Sequence, residues 1–283
     1  MRPKYLLIFL LFAVARPATG QVSELGLTCG VTYYIGDLNP TKHYPTGTAL
    51  AYGALFRYNC TERYAFRLQG LKGMLQASDA NSADSLQQFR NLSFRAKLFE
   101  VSGLLEINFF PYRTGRKKDD IRRWTPFVFF GLAYFHANPQ AELNGTWFDL
   151  QPLGTEGQMS SSGGESYKVD QVSIPFGAGM KFNIKRLDLQ LEWGLRKTST
   201  DYIDDVSGDY VDNSLLAFEN GDLAATFADR SGTADSGLNT GRSRGDSGTR
   251  DWYQYTGLSL TFILGRGPGE CEDLYRSMRD RRR

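Results

Sequence analysis

The feature that most restricts what this chain can fold into is a two-residue alternation that recurs in segment after segment. Leu25, Leu27, Cys29, Val31, Tyr33 and Ile35 fall on one side of an extended run, with Gly26, Thr28, Gly30, Thr32 and Tyr34 on the other. Leu50, Tyr52, Ala54, Phe56 and Tyr58 oppose Ala51, Gly53, Leu55 and Arg57, and Tyr64, Phe66 and Leu68 oppose Arg67 and Gln69. Phe99, Val101, Leu105, Ile107 and Phe109 alternate with Glu100, Ser102, Glu106 and Asn108. Residues 125–138 are rich in Phe and apolar on both faces, so their register stays open. Val172 to Phe182 alternates with Ser173, Pro175, Gly177, Gly179 and Lys181, and Leu187 to Leu195 with Asp188, Gln190, Glu192, Gly194 and Arg196. The last segment, 252–264, ends in Leu258, Leu260, Phe262 and Leu264 against Ser259 and Thr261. Segments of about ten residues are the length with which tilted strands cross a bilayer.

The connections separate a membrane barrel from a soluble one. Residues 59–63 and 184–186 are tight turns, whereas 36–47, 75–91, 139–170 and 200–251 are long. Long and short alternate, as in barrels with one rim in the periplasm; residues 111–124 form a periplasmic turn of moderate length. The polar face decides the inside. Arg57, Arg67, Glu100, Glu106, Lys181, Asp188, Glu192 and Arg196 come from different strands and can pair into a charged network if they point inward. The expected fold is therefore all-β: an eight-stranded antiparallel transmembrane β-barrel with long extracellular loops and a short periplasmic C-terminal tail.

The N-terminus reads as a signal peptide spanning 1–20. Arg2 and Lys4 precede an apolar run from Tyr5 to Ala15, and Ala18-Thr19-Gly20 offers small residues for cleavage before Gln21, with a second cut after Ala15 as the alternative. Gln21 is not Cys, so the signal is not that of a lipoprotein. This is the one long apolar run, which excludes a bundle of spanning helices. The formal charge of +2 does not suggest nucleic acid. The barrel is expected to span 21–264.

Charge is distributed unevenly between the rims. Residues 201–251 hold 11 acids and 4 Arg, a net of 4 − 11 = −7, with a second half of Ser, Gly and Thr, and read as a solvated loop that is mobile or partner-bound. A calcium site in 201–212 matches no EF-hand spacing. The 111–124 turn carries Arg113, Arg116, Lys117, Lys118, Arg122 and Arg123 against Asp119 and Asp120, or 6 − 2 = +4. The tail 265–283 sets Arg266, Arg276, Arg279, Arg281, Arg282 and Arg283 against four acids, or 6 − 4 = +2, and is a candidate docking element for a periplasmic protein.

Catalytic and metal signatures are missing. His43 and His136 have no carboxylate or Ser partner at short spacing, and no nucleophile elbow, phosphate loop or zinc-protease motif occurs, so no enzyme activity, cofactor or metal is expected. Three cysteines in an oxidising compartment leave at least one thiol over. If the first hairpin pairs residues whose numbers sum to about 83, Cys29 faces residue 54 and not Cys60. Cys60 and Cys271 are then the disulfide candidates, either with each other or, through the long reach of the tail, between Cys271 and another chain.

Tyr34 to Pro40, Arg90 to Arg95, Asn108 to Tyr112, Gln151 to Gln158 and Leu191 to Thr198 together resemble the PorG-like outer-membrane barrels. The resemblance implies an outer-membrane component of the type IX secretion system, associated with the periplasmic ring of the PorK-like lipoprotein and its PorN-like partner. Partner contacts would fall on Cys271, Arg276, Arg279 and Arg281 and on Arg113, Arg116, Lys117 and Lys118. A small pore or transporter is the second reading, and a lipid-acting barrel enzyme the third.

Overall fold

The computed structural model describes residues 22–40, 47–112, 123–161, 163–184, 186–233 and 237–264. Residues 1–21, where the signal peptide is expected, His43, the basic run 113–122 and the tail from 265 onward lie outside the described residues.

The alternating segments form β1 (Val22–Ile35), β2 (Ala49–Asn59), β3 (Tyr64–Ser78), β4 (Ser93–Asn108), β5 (Trp124–Leu143), β7 (Asp170–Ile184), β8 (Leu187–Thr198) and β9 (Trp252–Leu264). Each pairs antiparallel with its neighbours, and the β4–β5 and β1–β9 ladders close the cylinder. Between them, β6 (Thr146–Asp149) pairs only with the far end of β5 and stands above the barrel as a hairpin.

The register fixes the barrel's dimensions. Stepping across paired residues from Pro126 through Met180, Leu191, Leu258, Cys29, Tyr52, Lys72 and Phe99 returns to β5 at His136, a stagger of 136 − 126 = 10 residues. With a rise of ~3.3 Å per residue and ~4.8 Å between strands, this tilts the strands by about 41° and sets a backbone radius of about 8 Å. A cylinder that narrow is filled by side chains.

Period two then sorts the residues. The outward positions are apolar and face out: Leu27 is 71%, Leu50 80% and Leu132 71% exposed, with Phe66, Phe130, Phe176, Trp193 and Phe262 around the same wall. A soluble protein does not leave so continuous an apolar belt in water; the belt is the lipid-facing surface of a membrane-spanning barrel. No helix among the described residues is long and apolar enough to cross a membrane.

Several sequence expectations change. The first hairpin pairs Val22 with Asn59 and Cys29 with Tyr52, a sum of 81 and not 83. β3 continues through Ser78 and β5 through Leu143, because their cross-strand partners persist beyond the bilayer zone. The largest correction concerns 201–251, whose described residues form a packed cap and not a solvated loop. It contains α2 (Asn213–Glu219) and α3 (Asp222–Ala228), with Ile203, Val206, Leu216 and Phe227 buried. Asp212 caps α2 by accepting from the backbone N–H groups of Ser214 and Leu215. A shorter helix, α1 (Ser85–Arg90), starts at Asp84 in the 79–92 connection and ends at Asn91 in the left-handed region.

Candidate functional site

The lumen holds a continuous set of buried ions. On β2, Arg57 donates through Nη1 to Glu24 Oε2 (2.7 Å) and Asp188 Oδ2 (2.8 Å), and its Nε lies 2.9 Å from Glu106 Oε2. Its Nη2 donates to Gln190. Arg67 on β3 stands between Glu106, at 3.0 Å, and Glu192. Lys181 on β7 donates to Glu106 Oε2 (2.6 Å) and Asn108 Oδ1 (3.0 Å). Nearer the long loops, Arg196 lies 3.3 Å from Glu100, which also accepts from the Tyr253 hydroxyl at 2.7 Å. Arg57, Arg67, Glu100, Glu106, Lys181, Glu192 and Arg196 are thus all buried in the interior, brought together from five strands.

The packing explains how this polar column is tolerated. A buried ion costs several kcal/mol unless it is paired and hydrogen-bonded. Here each cation meets at least one carboxylate, and aromatic rings take up remaining space: Phe129 lies 5.1 Å under the Arg67 guanidinium and Phe127 4.7 Å from Lys181 Nζ. Inward glycines make room for those rings. A Cβ on Gly194 would meet Phe129 Cζ at 2.6 Å, and one on Gly177 at 2.7 Å.

Both ends of the column are stoppered. At the short-turn end Tyr112 is buried and donates to Asp188 Oδ1 at 2.5 Å. At the long-loop end Tyr34, Leu38, Phe94, Leu98, Phe135, Ile203, Val206 and Tyr253 form one apolar cluster across the mouth. Above it, the cap is organised on Arg244. That residue donates through Nη1 to Glu156 Oε1 (2.9 Å) and Asp205 O (2.5 Å) and through Nε to Ala228 O (3.0 Å). Glu156 in turn accepts from the backbone N–H groups of Ser207 and Gly208. Burial pushes Asp205 up to about 6 despite the pull of Arg244, and burial among other acids pushes Asp201 up to about 7.

Sequence reasoning missed parts of this site. Glu24 sits two positions before Gly26 on the same inward face, so the period already placed it. Arg244, Glu156, Asp205 and Tyr112 carried no periodic signal. His136 also differs from expectation: β5–β7 pairing sets Asp170 Oδ1 2.9 Å from its Nδ1, although the two are far apart in sequence. Cys29 points outward, and Cys29 and Cys60 are both free thiols. Arg113, Arg116, Lys117, Lys118, Cys271, Arg276, Arg279 and Arg281 lie outside the described residues. Among the described residues no group of His, Cys, Asp and Glu is arranged to hold a metal ion.

The family described as "Domain of unknown function (DUF6089)" matches residues 3–228, most of the chain. The chain belongs to the DUF6089 family. No curated protein matches it. Among solved structures, the DUF6089 chain is similar to neisserial surface protein A, at 9% identity and TM-score 0.40, covering 85% of this chain and 96% of that one. It is also similar to Ail, the attachment invasion locus protein of Yersinia pestis, at 10% and 0.37, covering 87% and 100%. A third is the N-terminal β-barrel domain of Pseudomonas aeruginosa OprF, at 11% and 0.36, covering 87% and 98%. The closed register of the DUF6089 barrel, not these distant likenesses, establishes its fold.

Proposed function

We propose that this protein is a non-conducting, non-enzymatic anchor in the bacterial outer membrane that organises a periplasmic ring assembly of the type IX protein secretion system. The observation that supports an anchor over a pore is the filled interior: ion pairs from Glu24 to Arg196 occupy the column, Tyr112 lies below it and an apolar cluster above. The tie to secretion rests on the resemblance of 34–40, 90–95, 108–112, 151–158 and 191–198 to PorG-like barrels. In this reading the short-turn end faces the periplasm, where the basic 113–122 run and the tail meet a PorK-like lipoprotein and a PorN-like protein, and Cys271 forms a disulfide with one of them.

The test is capture from mildly solubilised outer membranes through a tag on the full chain. Ring proteins retained by the full chain and lost on deletion of 265–283, with a reductant-sensitive larger species on gels that Cys271→Ser abolishes, would support the reading. A monomer band unchanged by reductant together with steady single-channel conductance in planar bilayers would replace it with the pore.

A further inference from the structure

The outer wall is apolar around most of its circumference, and β3, β4 and β5 together carry a group of basic side chains. There the outward positions toward the long loops are Lys72 on β3, Lys97 and Arg95 on β4, and His136 on β5. Phe99 is paired with both Lys72 and His136, and Lys97 with Met74 and Asn138. Lys97 is therefore the diagonal neighbour of Lys72 and of His136, at about 7–8 Å between Cα atoms, and Arg95 is the next outward position along β4. On the flanking strands, outward positions toward the same end are Val172 and Ile174 on β7 and Leu50 on β2, all exposed, and on the opposite wall Lys197 of β8 packs over Trp252.

Among the described residues neither Lys72 nor Lys97 has an ion-pair partner. Of the acids nearby, Asp170 bonds His136 and Asp149 accepts from Gln140, while Glu142 lies beyond Gln140 at the upper end of β5. The Arg95 guanidinium lies over the Trp147 ring, 3.3 Å from its centroid, and its Nε donates to Gln140 Oε1 at 3.4 Å. With the strand tilt derived above, Lys72, Lys97 and Arg95 climb about 13 Å, from the upper apolar belt to above it. An ammonium there reaches along its stem to the headgroup layer, where it needs an anion. Phe99, Val101 and Leu132, all exposed, lie on the lipid-facing wall beneath.

We infer that the β3–β4–β5 face binds the phosphate-bearing headgroup of a lipid in the leaflet on the long-loop side, through Lys72, Lys97 and Arg95, with its acyl chains along the wall below. The inference rests on the membrane-spanning reading of the barrel and not on its role in secretion.

Native mass spectrometry of the full chain, extracted from vesicles of phosphatidylcholine doped with a phosphatidic acid, reads the bound lipid directly. The wild type should retain the doubly charged phosphate lipid, and Lys72→Gln/Lys97→Gln should lose it by at least about tenfold. Lys72→Arg/Lys97→Arg should keep it, and so should Lys197→Gln on the opposite wall, where Lys197 packs over Trp252. Equal retention by the wild type and the double Gln variant would overturn the inference, as would equal loss from Lys197→Gln. Displacement by free inorganic phosphate would also overturn it by pointing to a soluble anion. Failure of the spanning reading looks different: the wild type would then not enter vesicles at all.

Discussion

Asp204 and Asp251 converge on one hydroxyl proton: Asp204 Oδ2 lies 2.6 Å and Asp251 Oδ1 2.7 Å from the Tyr34 oxygen. A phenol has a single proton to donate, so the second short contact requires that one carboxyl keep its own proton and donate it. The site is buried, and burial drives both acids well above the ordinary carboxylate range, with the charge of Asp251 adding to the effect at Asp204. Asp37 and Asp201 nearby act in the same direction, while Arg90, the basic group on α1, is held by Asp79. The pair also pins the cap, because Asp251 Oδ2 accepts from Ile203 N–H at 2.8 Å and Asp204 Oδ1 from Val206 N–H at 3.1 Å.

A pH dependence of the cap follows with a definite sign. Asp204, Asp251, Asp201 and Asp205 all bind protons more tightly folded than unfolded, so stability is highest in acid and falls as pH rises from about 4 upward, through the 6 to 7 range of Asp205 and Asp201. Asp212 and Glu219, held below the ordinary range by hydrogen bonds, act only at lower pH and do not oppose this. Limited proteolysis within 200–251 should be slower at pH 5 than at pH 8, after correction for protease activity. Asp204→Asn should flatten the difference; equal cleavage at both pH values in the wild type would contradict the shared proton.

Removing Arg67 should be among the most damaging single changes in the lumen. Its loss leaves Glu106 and Glu192 buried with one fewer cation, a situation that costs about 3–5 kcal/mol. The urea midpoint of Arg67→Met in lipid should drop accordingly, and Arg67→Met/Glu192→Gln should recover part of it. Additive losses in the double variant would show that the pair is not coupled.

The barrel was largely legible in the sequence because period two is imposed by the pleat itself. Arg57, Arg67, Glu100, Glu106, Lys181, Asp188, Glu192 and Arg196 shared the face of Gly26 and Thr28, and a single inside-or-outside choice placed them all. The cap was not legible. Its acids look solvated when counted, yet Asp204, Asp205 and Asp229 are buried because Tyr34 and Arg244, distant in sequence, and Asn239 within the cap meet them there. Composition reports charge and not pairing. His136 and Asp170 illustrate the same limit on the wall, since only the β5–β7 register joins them.

Gly194 has a packing role that a methyl group would test. Its missing Cβ is where the Phe129 ring tip sits, and Arg196 Nη1 would be met at 2.8 Å. Gly194→Ala should destabilise the barrel by about 1–3 kcal/mol by displacing that ring from beneath Arg67. Gly194→Ala/Phe129→Leu should lose less than the sum of the two single changes. Unchanged melting of Gly194→Ala would show that the ring moves freely.

Arg244 offers the sharpest separation of cap from barrel. Its guanidinium holds the Glu156 turn, the Asp205 segment and the end of α3, and the first two are also joined by the Ser207 and Gly208 N–H groups on Glu156 and by Thr155 Oγ1 on Asp205. Arg244→Met keeps most of the side-chain volume but leaves Glu156 buried without its cation, so the cap should loosen by about 3–5 kcal/mol. The strands do not depend on that residue: their ladders close through β4–β5 and β1–β9, and the lumen ions pair among themselves. Hydrogen exchange of the variant in lipid should therefore show amides of 203–231 exchanging rapidly while those of β1, β4 and β8 stay protected. Arg244→Met/Glu156→Gln should restore part of the cap's protection. Simultaneous loss of protection in cap and strands would mean that the two unfold as one unit and that the cap is required for the barrel to persist.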